Sequence, residues 1–256
     1  MKLRYVILTI CIAILLFLVY KFIGISSVVS LSSPLPVPTG ATKHTATTLT
    51  YQDIVYDYEY FVVQRLEKLT LIPNFDTPIR GSAIVSQQKC AFAINGGFYS
   101  EGNTPLGAFI GNGYEQPTAL KSALFNGFLG FSESKAVITK AFDSSSTFIL
   151  QSGPLLHYDT SSLPLAIQND EHARRSAVIT TNDGKILFAT FYIRDSIYNG
   201  PLLGDLPMIL NEFASIEGIA IDSALNLDGG SATYFKSPDT ELPELSPIGS
   251  LFCLQK

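Results

Sequence analysis

Two short polar segments of this sequence combine the residue types that acid–base chemistry on an anionic ligand requires. Each follows an apolar stretch and carries two glycines: Ala93-Ile94-Asn95-Gly96-Gly97 and Ala224-Leu225-Asn226-Leu227-Asp228-Gly229-Gly230-Ser231. Asp228 supplies a carboxylate suited to proton transfer or to holding a sugar hydroxyl. The glycines allow positive φ angles, and successive amides in such turns can form an anion-binding nest. An isolated Asp-Gly-Gly is more often an ordinary turn, because Asp and Gly dominate turns.

Two adjacent arginines, Arg174 and Arg175, stand directly before a predicted strand. A guanidinium group binds two oxygens of a phosphate at once, although solvated strand-end charges are the commoner explanation of such a pair. The chain has three histidines and no Walker loop, zinc-spaced cysteine pair or Gly-x-Ser-x-Gly elbow. We therefore expect catalysis, if present, to rest on carboxylates, arginine and backbone amides, with no metal or cofactor.

The elements that must position these residues are mostly short strands. Alternation and turn residues predict a strand before each glycine turn and a hairpin around Asn182-Asp183-Gly184, for which Asp-Gly favours a type I′ turn. Leu206, Ile209, Leu210 and Phe213 recur at helical spacing before Gly218, and a second, weaker helix is predicted from Ile79 to Gln87. The predicted fold class is α+β: a mixed, mostly antiparallel sheet with packed helices, in a single globular domain after an N-terminal membrane helix.

The N-terminus has the pattern of a membrane signal. Lys2 and Arg4 precede an apolar run over residues 5–20, so residues 1–29 are predicted to form a signal anchor or transmembrane segment. No clear cleavage site follows, which favours an uncleaved anchor over a secretion signal. Residues 30–50, rich in Ser, Thr and Pro, are predicted to be a linker, and residues 51–256 the functional domain. The domain is then expected outside the cytoplasm, in the periplasm or the extracellular space.

Composition narrows the class of partner. The net charge of −5 gives no reason to expect a nucleic-acid partner. Hydrophobic residues make up 46% and charged residues 15% of the chain, which excludes a disordered protein.

Cys90 and Cys253 lie in predicted strands of the domain, where they either form a disulfide bond or pack as buried thiols.

The ordered set of motifs resembles the phosphodiester glycosidase family, whose animal members remove an N-acetylglucosamine that covers mannose 6-phosphate. The resemblance lies in Ala93 to Tyr99, Pro105-Leu106-Gly107, Gln151 to Leu156, Arg175-Ser176-Ala177 and Ala224 to Ser231. Three departures are Ser176, where many members have Thr, the lack of a third glycine before Ser231, and a short chain without the extra domains of the animal enzyme. The resemblance implies the fold of the family and the hydrolysis of a sugar-1-phosphodiester, whereas the departures leave the substrate open.

The resemblance also implies roles for individual residues. Asp228, Arg175 and Asn95 are the expected catalytic residues. Residues expected to bind a glycan or sugar-phosphate substrate are Gly96, Gly97, Gly107, Arg174, Gly229, Gly230 and Ser231. A second carboxylate, which glycosidases usually need, is available in Asp222 or Glu171. The alternative function is a non-catalytic domain that binds glycans or anionic polymers at the cell surface.

Overall fold

The computed structural model describes residues 41–43, 47–131, 135–143 and 146–255 of the 256-residue chain. The predicted membrane segment, residues 1–29, lies outside the described residues. Among the helices that are described, none is long and apolar enough to cross a membrane. Part of the predicted linker is described, because two short strands occupy residues 41–43 and 47–51 and pair with a longer one.

The described residues form three antiparallel sheets and two helices. The helices are α1 (Gly81–Gln88) and α2 (Leu206–Glu217). The strands are β1 (Ala41–Lys43), β2 (Thr47–Tyr51), β3 (Ile54–Val63), β4 (Leu69–Pro73), β5 (Cys90–Asn95), β6 (Phe109–Gly111), β7 (Tyr114–Gln116), β8 (Gly127–Phe131), β9 (Ala136–Thr139), β10 (Phe148–Ser152), β11 (Leu155–Tyr158), β12 (Ser161–Ser162), β13 (Arg175–Thr181), β14 (Ile186–Ile193), β15 (Ile221–Asn226), β16 (Phe235–Lys236), β17 (Glu241–Leu242) and β18 (Ser250–Gln255).

The largest sheet has the order β1-β3-β14-β13-β15-β11-β12, with β2 also paired to β3. The second sheet has the order β17-β16-β5-β18-β4, and the third has the order β7-β6-β10-β8-β9. The two glycine turns follow β5 and β15 and therefore leave two different sheets.

The predicted α+β class is wrong, because the structure is a mainly β fold whose described strand pairs are all antiparallel. The largest apolar cluster contains side chains from all three sheets, such as Phe61, Phe92 and Leu129. Rings from two sheets are in direct contact, with Phe61 5.3 Å from Phe92 and Phe188 4.8 Å from Phe252 between centroids. The helical spacing predicted α2 correctly. It did not show that helices contribute only a small part of the core.

The helix α2 covers the other face of the large sheet. Its predicted apolar stripe is buried, and the Phe213 ring meets Tyr58 and Tyr60 of β3 edge to face at 5.1 and 5.2 Å. Tyr58 and Tyr60 therefore face α2. Phe61, the next residue of β3, points to the opposite face of the strand, into the core among the three sheets. The helix ends at Gly218, whose φ of 65° is the left-handed conformation that glycine adopts most easily.

The hairpin of β13 and β14 is present as predicted, but its turn is not type I′. The Gly184 N–H donates to the Thr181 carbonyl at 2.8 Å, and positive φ occurs at Gly184 rather than at the two central residues. This is a type I turn followed by a left-handed glycine, a second common solution for a short hairpin.

The two cysteines of the domain form a disulfide bond. Cys90 begins β5 and Cys253 lies in β18, the neighbouring strand, with 5.3 Å between their Cα atoms. The structure thereby decides between the two readings that the sequence left open. The bond joins the last strand to the strand that ends at Asn95.

Candidate active site

The ends of β5 and β15 bring the two glycine turns into contact. The Asp228 N–H donates to the carbonyl of Gly96 at 3.0 Å, and the Leu227 N–H donates to the carbonyl of Ser176 at 2.9 Å. The second bond continues the pairing of β15 with β13 beyond Asn226. Strands from two sheets thus place Asp228 beside Gly96 and beside the start of β13, where Arg175 lies.

Asn95 is the buried hub that joins the two turns. Its Nδ2 donates to the carbonyl of Asp228 at 2.7 Å. Its Oδ1 accepts from the Ser176 hydroxyl at 2.9 Å and from the Tyr234 N–H at 3.1 Å. Because the side chain is only 1% exposed and bonded at both ends, Asn95 is placed to position Asp228 rather than to touch a ligand.

Asp228 is partly buried at the edge of its turn. One carboxylate oxygen, Oδ1, accepts the Gly229 N–H at 2.9 Å. Burial raises the pKa of Asp228 to about 7, although the Gly229 amide and the positive charge of Arg175 oppose that rise. A carboxyl group with a pKa near the ambient pH can both accept and release a proton, which is what acid–base catalysis requires.

Arg175 lies beside Asp228 with one nitrogen turned toward the glycine turn. Its Nη2 donates to the carbonyl of Glu171 at 2.6 Å and meets Asp170 Oδ1 at 3.4 Å, while its Nε donates to the Pro201 carbonyl at 3.2 Å. A Cβ atom on Gly229 would lie 3.2 Å from Arg175 Nη1. Any residue with a side chain at position 229 would therefore crowd the guanidinium group.

Asp170 is a residue of this arrangement that the sequence reasoning missed. Its two carboxylate oxygens accept the N–H groups of Leu203, at 3.0 Å, and Gly204, at 2.7 Å. It also forms the ion pair with Arg175, whose side chain is 13% exposed. Asp170 thereby holds Arg175 against the 201–204 segment, and its place five residues before Arg175 was the only signal in the sequence.

Arg174 does not reach the site. Its side chain is fully buried and its guanidinium nitrogens donate to the carbonyls of Ile197 at 2.8 Å, Pro243 at 2.5 Å and Thr233. The backbone carbonyl of Arg174 accepts the Gly230 N–H at 2.9 Å. Arg174 thus ties the second glycine turn to two neighbouring loops, and the structure assigns it no ligand-facing atom.

The glycine amides are largely used within the protein. The Gly96 N–H donates to the Ser250 carbonyl, the Gly229 N–H to Asp228 and the Gly230 N–H to the Arg174 carbonyl. Gly97 packs against Leu150 and the Gln151 carbonyl. Gly107, with a φ of 99°, lies against Gln151, since a Cβ there would be 2.2 Å from Gln151 Oε1. These glycines permit close backbone packing more than they supply free donors.

Hydroxyl groups form a further wall of the site. Ser231 is exposed, and its Oγ accepts a hydrogen bond from the Ser246 hydroxyl at 2.9 Å. The Tyr99 hydroxyl donates to the Pro247 carbonyl at 2.5 Å. Burial, followed by the charge of Asp228, raises the pKa of Tyr99. Tyr99 stood in the first motif without a predicted role, and no sequence signal pointed to Ser246.

The two candidates for a second carboxylate lie in different places. Asp222 is near the opposite end of β15, where its Oδ2 accepts the Thr180 hydroxyl at 3.3 Å. Six residues of extended chain separate it from Asp228 by about 20 Å. Glu171 is exposed and lies beside Arg175, so Asp170 and Glu171 border the site whereas Asp222 does not.

Buried polar atoms without a partner cluster around the same turns. Within the described residues, Asn226 Oδ1, Ser250 Oγ and Arg174 Nε are buried and make no hydrogen bond. A Cβ on Gly96 would lie 2.2 Å from Ser250 Oγ, and Asn226 stands two residues before Asp228. Unsatisfied buried groups are rare, and they often mark functional regions or bound water.

Other features of the described residues do not mark this site. A groove of about 560 Å³ is lined by Tyr60, Thr181, Lys185, Glu217 and Gly218, at the far end of the large sheet from Asp228. No group of three or more His, Cys, Asp or Glu side chains in the described part of the chain is arranged to hold a metal ion. The chemistry of the residues, rather than the size of a cavity, distinguishes the Asp228 site.

A carboxyl group of raised pKa lies beside an arginine, which is the combination of groups that acid–base chemistry on an anionic substrate requires. In sequence, a family model described as phosphodiester glycosidase matches residues 88–246, which is more than half of the chain and includes every expected site residue. The chain therefore belongs to the phosphodiester glycosidase family, a family of hydrolases. A search of curated proteins gave no match.

Solved structures show the same fold. The catalytic domain of zebrafish N-acetylglucosamine-1-phosphodiester alpha-N-acetylglucosaminidase, auto-inhibited by its pro-peptide, has a TM-score of 0.63 at 14% identity, covering 88% of this chain and 85% of that one. A hypothetical protein from Synechocystis has a TM-score of 0.57 at 15% identity, with 84% and 62% covered. A putative exported protein from Burkholderia pseudomallei has a TM-score of 0.56 at 10% identity, with 80% and 75% covered. At these identities the likeness concerns the fold alone.

Proposed function

We propose that this protein is an exported hydrolase that cleaves a sugar-1-phosphodiester and releases the sugar from a phosphomonoester. The observation that carries the proposal is the carboxyl group of Asp228, which has a pKa of about 7 and is flanked by Arg175, in a residue whose backbone carbonyl is held by Asn95. The family supports the reaction type, and the name of the zebrafish protein supports a sugar-1-phosphodiester as the substrate class.

In this proposal Arg175 binds the phosphate. It is held by Asp170 and the Glu171 carbonyl, so its orientation is set before the substrate arrives. Its Nη1 faces Gly229, next to Asp228. The positive charge offsets the phosphate charge as the bond to the sugar breaks.

Asp228 acts as the general base. Its carboxylate takes a proton from water as the water oxygen bonds to the anomeric carbon. The bond between that carbon and the phosphate oxygen breaks, and its electron pair leaves with the phosphomonoester. A phosphate leaving group needs little protonation, so one carboxylate suffices and neither Asp222 nor Glu171 is required. Ser231 and Ser246, with Tyr99, hold hydroxyl groups of the sugar.

The disulfide supports export as part of the proposal. Disulfide bonds persist mainly in oxidising compartments, and Cys90 and Cys253 are bonded in this fold. Together with the charged and apolar N-terminus, this favours a domain outside the cytoplasm, anchored through residues 1–29. Mass analysis of the mature N-terminus separates the anchored form from the secreted one.

The experiment that tests the function is a turnover assay of the full chain on α-N-acetylglucosamine-1-phosphodiesters. We expect release of the free sugar, and a loss of at least about 100-fold in kcat in Asp228→Asn, the usual effect of removing a general base. Asp222→Asn, which removes a carboxylate of β15 about 20 Å from Asp228, is the matched control and should keep its activity. A protein that binds the sugars without cleaving any diester is instead a glycan-binding domain.

A further inference from the structure

Arg175 has most of its hydrogen-bonding capacity used within the protein. A guanidinium group donates through Nε, Nη1 and Nη2. The Nε proton of Arg175 is donated to the Pro201 carbonyl at 3.2 Å. The Nη2 protons are directed to the Glu171 carbonyl at 2.6 Å and to Asp170 Oδ1 at 3.4 Å. Nη1 donates no hydrogen bond within the described residues, so it is the nitrogen left for a ligand.

This arrangement restricts how a phosphate can bind to Arg175. Two parallel N–H bonds to a phosphate need two neighbouring nitrogens of the guanidinium group. Because the protons of Nε and Nη2 are already donated, a phosphate meets Arg175 through Nη1, the nitrogen on the side of Gly229. The backbone adds little, since the amides of Gly96, Gly229 and Gly230 all donate within the protein.

Three carboxylates surround the same guanidinium group. Asp170 forms the ion pair with it, Glu171 is the exposed next residue, and Asp228 stands beside the glycine turn. Burial lowers the pKa of Arg175, and the negative charges of Asp170, Asp228 and Glu171, in this order, oppose that fall. Each carboxylate is therefore close enough for its charge to act on Arg175. The adjacent cation, Arg174, is fully buried and donates to carbonyls elsewhere.

The charge of the ligand decides whether this surrounding attracts or repels it. A phosphodiester carries one negative charge, whereas a phosphomonoester carries about 1.5 to 2 near neutral pH. Arg175 offsets the first charge. A second charge would face the carboxylates with no added donor from Nε, Nη2 or the three glycine amides. Like charges held close together exclude a ligand even when its shape fits.

We infer that the site accepts a phosphate with one negative charge and rejects one with two, and that Asp170 and Glu171 set this limit. The inference rests on the proposed function, which places the phosphate at Arg175. It narrows the substrate class to sugar phosphodiesters whose alcohol carries no negative charge next to the phosphate. Sugar 1-phosphates and sugar pyrophosphates are excluded, and the phosphomonoester product is expelled because cleavage adds a charge.

The test compares α-N-acetylglucosamine 1-phosphate with its methyl diester at pH 8, on the full chain in lipid nanodiscs. The two ligands share the sugar and differ by one methyl group and about one charge. A carboxylate about 7 Å from the phosphate, near the surface, weakens binding about threefold to fivefold for each added charge, and Arg175 offsets part of the sum. We expect the inhibition constant of the 1-phosphate to exceed the KM of the diester by about fivefold or more.

Variants of Glu171 change the charge without changing the hold on Arg175. Glu171→Gln keeps the backbone carbonyl that accepts Arg175 Nη2 and should lower the ratio of the two constants by about threefold. Glu171→Lys should lower the ratio by about tenfold and so reverse the preference. Asp170→Asn removes the nearer charge and should lower the ratio at least as much as Glu171→Gln. Glu212→Gln, an exposed carboxylate of α2, is the matched control and should leave the ratio unchanged.

Calorimetry with the same two ligands separates this inference from the proposed function. If the wild type binds the diester more tightly without cleaving it, and the Glu171 variants lose that preference, the charge limit stands and the hydrolase proposal fails. If the diester is cleaved but the 1-phosphate inhibits at or below the KM of the diester, the hydrolase stands and the charge limit is overturned. A ratio that stays constant in both Glu171 variants also overturns it, because shape rather than charge then selects the diester. A wild type that binds neither ligand overturns both.

Discussion

Replacing Asp228 with Asn is expected to stabilise the protein at alkaline pH while it removes the proposed activity. Both effects have one cause, the cost of ionising a carboxyl group in this partly buried position. Asn has nearly the same shape, and its Oδ1 can still accept the Gly229 N–H that Asp228 accepts at 2.9 Å. The change therefore tests the charge rather than the turn.

The magnitude follows from the pKa of Asp228, which is about 7 in the fold against an ordinary 3.8. Because the folded state holds the proton more tightly, the contribution of this group to stability is fully present below about pH 3.8 and is lost as the pH rises through about 7. Each pKa unit corresponds to about 1.4 kcal/mol, so complete ionisation opposes folding by at most about 4 kcal/mol. Between pH 5 and pH 8.5 the loss is about 2 to 3 kcal/mol.

Urea unfolding of the wild type and Asp228→Asn at pH 5 and pH 8.5 measures this effect. We expect the stability advantage of the variant to grow by about 2 to 3 kcal/mol between the two pH values. A carboxylate that merely capped its turn would give the opposite result, because its replacement would destabilise the protein by about 1 kcal/mol at both pH values. An advantage that is constant or shrinks with pH would refute the reasoning.

Three further predictions concern the pH dependence of the reaction, the role of Asn95 and the disulfide bond. The kcat/KM of the wild type should rise with pH through about 7. Arg175→Gln should move that inflection to higher pH, because the charge of Arg175 lowers the pKa of Asp228. A kcat/KM that falls with pH through this range would assign Asp228 as the general acid. Asn95→Ala leaves the Ser176 hydroxyl and the Tyr234 amide without their acceptor. It should therefore lower the free energy of unfolding in denaturant by about 3 kcal/mol and also lower kcat. An unchanged kcat would show that Asn95 does not position Asp228. Reduction of the Cys90–Cys253 bond should lower the free energy of unfolding by about 2 to 4 kcal/mol, and an unchanged urea midpoint in reductant would contradict this.

The proximity of the two glycine turns was predictable, whereas the direction of the neighbouring side chains was not. Apolar strands before Asn95 and Asp228 are visible in the sequence, and family order suggested that they meet. Adjacent residues of an extended chain point to opposite sides, so only one of Arg174 and Arg175 could face the site. The sequence does not show which of the two guanidinium groups will be buried and donate hydrogen bonds to backbone carbonyls. In the structure it is that of Arg174.

Long-range contacts account for the rest of what the sequence could not show. Tyr99 and Pro247 are 148 residues apart and are joined only because β5 and β18 are neighbours. The fold class was missed for a related reason. The spacing of Leu206 and Phe213 predicts a helix correctly, but whether sheets or helices fill the core depends on how three sheets pack on rings such as Phe61 and Phe252.

The central claim is that Asp228 is the group that removes the proton from water in the cleavage of a sugar-1-phosphodiester. Single-turnover release of N-acetylglucosamine from its α-1-phosphodiester, measured for the wild type, Asp228→Asn and Asp222→Asn near neutral pH, tests it most directly. The account predicts that the wild type and Asp222→Asn cleave the diester at similar rates and that Asp228→Asn is at least about 100-fold slower. Full activity in Asp228→Asn, or no cleavage by the wild type, would contradict it.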